Sequence, residues 1–340
     1  MGRINSILFL CRINMKKENF VVISGSFAVL LVILVLIGVS MITSGVIGAN
    51  QTTTISKVWV WNTEPNVTRV VISPSSIDLT PGNRTRVNCT AFVWDYNGWR
   101  DLNVSNATFF HDTVDHDSVN DNNNHYSANS TQCQCTESAE NPFGTNATCT
   151  CWFDVWYYAY NGTWVCNMTI SDRGGNASLE GSDRVFNFNS SNYDTAEINT
   201  VIAINTPLEI DYGNLSVTET STPKGANISN YGNVKLNVSV RGYGGDNANI
   251  FGMNQGNTSM ICDYRNITIA NERFAFSNET AFDSMTPLYN DSRFMGLVLP
   301  FRMNDTISKN DTNTTYWKLQ VPLSVGGFCN GTVQFDAIAH

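Results

Sequence analysis

The sequence predicts an all-β protein: two tandem β-sandwich domains preceded by one N-terminal hydrophobic helix. Three observations carry that reading. Nearly every patterned segment after residue 50 alternates apolar and polar residues and ends in Asn, Gly or Asp, which is how half-buried strands and their turns read. No segment after residue 50 has the 3.6-residue apolar period of an amphipathic helix. Eight cysteines follow residue 50, an even number suited to bridges in an exported chain.

Residues 1–19 form a basic flank with Arg3, Arg12, Lys16 and Lys17, and no charged residue occurs from Asn19 to Ser56. A basic flank followed by more than about 18 apolar residues places the N-terminus in the cytoplasm and the remainder outside. Residues 20–49 therefore read either as a transmembrane anchor or, since the run fades into SGVIGA, as a signal peptide cut after Ala49. Export is supported independently. Asn-x-Ser/Thr, the acceptor triplet for N-glycosylation, occurs 23 times among 43 asparagines and nowhere in the first 49 residues. Candidate acceptors are Asn66, Asn83, Asn88, Asn103, Asn106, Asn129, Asn146, Asn161, Asn167, Asn214, Asn237, Asn266 and Asn330. Beyond residue 49 the chain holds 16 bases and 28 acids, a net charge of −12. That balance suits a soluble exterior and argues against a nucleic-acid partner.

Residues 56–173 read as the first sandwich. KVWVW (57–61) and TRVVIS (68–73) are strand-like, as are RVNCTAFVW, CWFDVWYYAY and WVCNMTI. The stretch TQCQCTESAENPFGTNATCTC (131–151) carries two Cys-x-Cys pairs. Residues two apart in a strand share a face. If the pairs lie on neighbouring antiparallel strands, Cys133 opposes Cys151 and Cys135 opposes Cys149 in a single register, with Asn141-Pro-Phe-Gly as the turn. The rival is a four-thiolate zinc site, whose usual knuckle is Cys-x-x-Cys. Cys89 and Cys166 then remain to bridge each other, with Trp164, Met168 and Ile170 on the face of Cys166 and Asn167 and Thr169 pointing out. An aromatic two residues before the second cysteine resembles the tyrosine corner of immunoglobulin-like sandwiches, here with Trp164.

Residues 174–199, rich in Gly, Ser, Asn and Asp, read as a linker. The second sandwich, 200–340, contains VKLNVSV, RNITI, YWKLQVPL and GTVQFDAIA and is closed by Cys262 with Cys329. In Asn237-Val238-Ser239 and Asn214-Leu215-Ser216 the middle residue faces the core while Asn and Ser face water.

Chemical signatures are sparse. No Gly-x-Ser-x-Gly elbow, His-Glu-x-x-His helix or phosphate-cradling glycine loop occurs. The polar loop 111–131 gathers His111, His116 and His125 among Asp112, Asp115, Asp117 and Asp121, but without EF-hand spacing it reads as a solvated acidic loop. The aromatic run WFDVWYY (152–158) offers rings on which sugars stack. No enzyme activity, cofactor or metal is expected.

The segments LTPGNRTRVNCTAFVWDYNGWRDLNVSNATFF, CWFDVWYYAYNGTWVCNMTISD, DYGNLSV, NYGNVKLNVSV and YWKLQVPLSVGGFCNGTVQFDAIA together resemble uncharacterised exported immunoglobulin-like surface proteins of archaea with small genomes. The resemblance implies surface modules and no activity; the doubled Cys-x-Cys departs from it. The chain thus reads as a non-enzymatic, heavily N-glycosylated extracellular protein with a structural or adhesive role. Its partners would be the membrane, through the N-terminal helix, and other surface proteins or its own copies. Two alternatives stand beside that reading. One is a pilin-like filament subunit assembled through the apolar helix, although no processing site precedes that helix. The other is a secreted carbohydrate-binding domain.

Overall fold

The computed structural model describes residues 54–138, 144–172, 194–245, 257–303 and 310–340. The N-terminal helix expected at 20–49, the turn at 141–143 and the first part of the expected linker lie outside them. Among the described residues there is no α-helix; short 3-10 turns interrupt an otherwise all-β chain.

The first sandwich is built from nine strands: β1 (Asn66–Ser73), β2 (Ser76–Ile77), β3 (Arg84–Trp94), β4 (Leu102–His111), β5 (His125–Ala128), β6 (Cys133–Glu137), β7 (Asn146–Trp156), β8 (Gly162–Asp172) and β9 (Thr195–Ile198). They form a four-stranded sheet in the order β1-β3-β7-β6 and a five-stranded sheet in the order β2-β9-β8-β4-β5. All pairings are antiparallel except the short β2–β9 contact. The alternation does its expected work on the first sheet: Val87, Cys89, Ala91 and Val93 of β3 are buried, as are Cys149, Cys151, Phe153 and Val155 of β7. Facing them from the second sheet are Phe109, Trp164, Cys166, Met168 and Ile170. Burial of such side chains stabilises by about 1.5–3 kcal/mol each.

Three assignments change. KVWVW has the strand period, yet it pairs with nothing among the described residues, and Val58, Trp59, Val60 and Trp61 are all strongly exposed. Period two permits a strand; only a hydrogen-bonding neighbour makes one. Conversely, Thr195–Ile198, inside the stretch read as linker, is β9, a member of the first sandwich, and the loop 111–131 contains all of β5.

The second sandwich pairs one sheet in the order β10-β11-β18-β15-β16 with another in the order β14-β13-β19-β12-β17. Its strands are β10 (Ile204–Asn205), β11 (Lys224–Asn230), β12 (Leu236–Gly244), β13 (Thr258–Tyr264), β14 (Asn266–Thr268), β15 (Glu272–Ala275), β16 (Thr286–Pro287), β17 (Arg293–Leu299), β18 (Thr312–Leu319) and β19 (Gly326–Ala339). Trp317 is the centre of this core, fully buried and flanked by Phe274 at 5.3 Å and Phe335 at 5.9 Å. Asn214-Leu215-Ser216 is coil rather than strand, with Leu215 still packed on the core.

Residues 61–340 form one compact unit. The true connection between sandwiches is short and tied down: Asn233 accepts from Val201 N through its side-chain oxygen at 2.7 Å, and Tyr231 N donates to Ala203 O at 2.9 Å. Asn123, 1% exposed, donates to Tyr158 O of its own sandwich and to Arg302 O of the other. Tyr157 packs against Tyr231 and Arg302 sits over Tyr158. Gly82, with φ +71°, lies where a Cβ would sit 2.6 Å from the Tyr231 ring, so only glycine fits.

Candidate functional site

The eight cysteines form four bridges: Cys89–Cys166, Cys133–Cys151, Cys135–Cys149 and Cys262–Cys329. Cys133 lies opposite Cys151 and Cys135 opposite Cys149 across β6 and β7, the single register read from the spacing. Cys151 in turn lies opposite Cys89 on β3. Three sulfurs therefore occupy one rung of the first sheet, and Cys89 crosses the core to Cys166 on the second sheet. The sulfurs are bound to one another, so the zinc alternative falls. Trp164, fully buried two residues before Cys166, donates from Nε1 to Tyr160 O at 2.8 Å. An indole here makes the backbone bond that a phenol makes in a tyrosine corner.

The aromatic run splits by parity and position. Phe153 and Val155 are core, while Trp152 and Trp156 face out. Their π faces are engaged from within: Arg84 lies 4.0 Å over Trp156, Tyr158 stacks on Trp156 at 5.6 Å, and Arg86 lies 5.8 Å over Trp152 while pairing with Asp154. Tyr157 and Tyr158 are buried in the joint between sandwiches. The end of the run builds the joint, and arginines lie over both outward tryptophan rings.

The histidines of the polar loop are structural pins. His125 is 1% exposed and its ring nitrogens meet Asn120 Oδ1 and His116 O, each at 3.0 Å. His111, also buried, meets Thr113 Oγ1 at 2.8 Å and Asn161 O at 3.3 Å. The glycosylation candidates divide by exposure. Asn66, Asn83, Asn106, Asn129, Asn161, Asn214 and Asn266 are exposed, and Asn88, Asn103, Asn146, Asn237 and Asn330 are half-buried. Asn167 is the correction. Its side chain points to the outer face as parity requires, but that face is itself covered: Val165, Asn167 and Thr169 are all buried, and Asn167 is 4% exposed. A folded chain cannot present it to a glycosyltransferase.

A feature that motif reasoning missed lies in the second sandwich. A cleft of about 1100 Å³ opens beside its core, bordered by Leu208, Leu215, Met260 and Phe328, with Tyr212 and Glu272 at its floor. Glu272 is 2% exposed, and burial pushes its carboxyl up to about 7 despite hydrogen bonds from Tyr212 and Ser259. Tyr212 Oη donates to Glu272 Oε1 at 2.8 Å, and burial, then the Glu272 charge, raises the phenol well above its ordinary range. This pair latches the coil 206–217 onto β15, with a carboxyl in the core that titrates near neutral pH. The one sequence signal was parity: in ERFAF, Glu272 occupies the same face as Phe274.

No family model matches this sequence, and no curated protein matches it. Among solved structures it is similar to the CsuC–CsuE chaperone–tip adhesion subunit pre-assembly complex from the archaic chaperone–usher Csu pili of Acinetobacter baumannii. The identity is 12% over 80% of this chain and 99% of that chain, with a TM-score of 0.34.

Proposed function

We propose that the chain is an exported, non-enzymatic surface protein whose two immunoglobulin-like sandwiches serve a structural or adhesive role, of the archaeal surface kind its strand segments resemble. The observation that carries the reading is the pairing of all eight cysteines beyond residue 50 into four bridges, chemistry that persists in oxidising compartments. Acceptor asparagines on exposed and half-buried surface support glycosylation there. Two groups with shifted proton affinities have structural partners, Glu272 in its bond from Tyr212 and Tyr157 in its contact with Tyr231, which supports the non-enzymatic reading. Residues 20–49 hold the protein to the membrane or direct its secretion. The test is the intact mass of the native protein before and after reduction and deglycosylation. Masked thiols at all eight positions and a sugar load removed by deglycosylation are expected. Free thiols with unmodified asparagines would overturn the proposal.

A further inference from the structure

Four strand ends meet at one end of the first sandwich: the start of β1, the end of β3, the start of β4 and the end of β8. Asn66 lies opposite Trp94, and Leu102 lies opposite Asp172. This topology brings together Asp95, just past β3, Asp101, just before β4, and Asp172, the last residue of β8. Among the described residues none of the three forms an ion pair.

Asp95 is 0% exposed. Its Oδ1 accepts from Asn97 N at 2.8 Å, in a turn made possible by Gly98 at φ +118°. Its Oδ2 is buried without a partner, and so is Asp101 Oδ1. A buried carboxylate oxygen without a donor is destabilising, and like charges add to that. Asp95 and Asp172 have raised proton affinities, first through burial; the charge of Asp101 raises both further, opposed by backbone hydrogen bonds from Asn97 and Gly98 on Asp95 and by the Asn62 bond on Asp172. Among the described residues, these two oxygens inside an acidic cluster have no positive partner.

We propose that this end of the first sandwich binds a calcium ion through Asp95 Oδ2 and Asp101 Oδ1, with Asp172 supplying further negative charge. The donors are all oxygen, with no thiol or imidazole among them, which selects a hard cation. They come from a turn and strand ends rather than from one rigid element, which suits the flexible shell of calcium better than the strict octahedron of magnesium. As the chain stands, no three acidic, thiol or imidazole groups among the described residues are drawn together closely enough to hold an ion. Two carboxylates therefore form the primary contact, and backbone carbonyls and water complete the shell. The site also receives the incoming chain. Asn62 donates to Asp172, Thr63 N donates to Asn97 Oδ1 at 2.6 Å, and Asn97 Nδ2 donates to Trp61 O at 3.3 Å. An ion bound here fastens residues 61–64 to the sandwich.

The test is calcium titration of the EGTA-stripped full chain, followed by calorimetry and by thermal unfolding. Half-saturation in the range of about 0.1–1 mM is expected, as in extracellular modules, with a higher unfolding temperature for the first sandwich. Asp101→Asn, at a half-buried position where the fold tolerates the amide, should weaken binding at least about tenfold. Asp115→Asn combined with Asp117→Asn, in the polar loop, should leave it unchanged. Terbium emission sensitised by Trp99 and displaced by calcium gives a readout independent of stability. Absence of binding up to about 10 mM calcium, an equal response in Asp101→Asn, loss of binding in the loop variant, or an equal response to magnesium would each overturn the assignment.

Discussion

The two sandwiches reach the same architecture by different means. The first spends three bridges. One joins its sheets through the core, and two hold β6, a five-residue strand at a sheet edge, against β7. The second has one half-buried bridge, between β13 and β19, and relies on Trp317 and its aromatic neighbours. It also keeps inside, next to an open cleft, a carboxyl whose proton affinity burial has raised. The difference teaches that bridges double up where an edge strand is as short as β6, while the long central strand β19 holds its neighbours with one bridge and an aromatic core.

The strongest way to break this comparison is Trp317→Ala. It removes a fully buried indole whose Nε1 donates to Thr315 Oγ1 at 2.9 Å, and about 3–5 kcal/mol should be lost. Scanning calorimetry should then show the second sandwich melting ahead of the bridged first one; a single unsplit transition would show that the joint couples them completely. Next comes the nested pair. Cys133–Cys151 and Cys135–Cys149 close nearly the same loop, with sequence separations of 18 and 14. Replacing both bridges with alanines should cost about 4 kcal/mol in urea unfolding, whereas replacing either alone should cost about 1–2 kcal/mol, because the other still closes the hairpin.

Glu272→Gln sharpens the comparison through pH. The folded carboxyl titrates near 7 and the unfolded one near 4.5. Between those values the native chain holds the extra proton, so its stability is greatest at low pH and declines as pH rises to about 7. The change is on the order of 3 kcal/mol. The glutamine variant should lose this slope and be the more stable form at pH 8; an unchanged pH profile would remove Glu272 as its source. Gly82→Ala acts on the joint alone. A side chain at φ +71° facing the Tyr231 ring should cost about 1–2 kcal/mol and raise amide exchange around residues 199–203. Arg86→Ala, which removes an exposed pair with Asp154, should change stability by less than about 1 kcal/mol in the same assay.

Much of the fold was legible because its signals are local. The alternation in RVNCTAFVW and WVCNMTI placed Cys89 and Cys166 inward, and two Cys-x-Cys pairs permitted a single register that paired all four sulfurs. What escaped was non-local. Tyr157 and Tyr158 continue a strand-like run, yet their neighbours are Tyr231 and Arg302 of the other sandwich. The carboxylates Asp95, Asp101 and Asp172 belong to no motif and meet only because four strand ends do.

The sequence by itself determined that this chain forms sheets, which faces turn inward and which cysteines can be joined, because period and spacing are properties of the backbone alone. Tertiary structure decided that KVWVW pairs with no strand among the described residues, that outward-pointing Asn167 is nevertheless buried, and that the Glu272 carboxyl titrates near 7. Each of these depends on which distant segment covers a given face, and burial is set by the neighbour across the gap rather than by the residue's own strand.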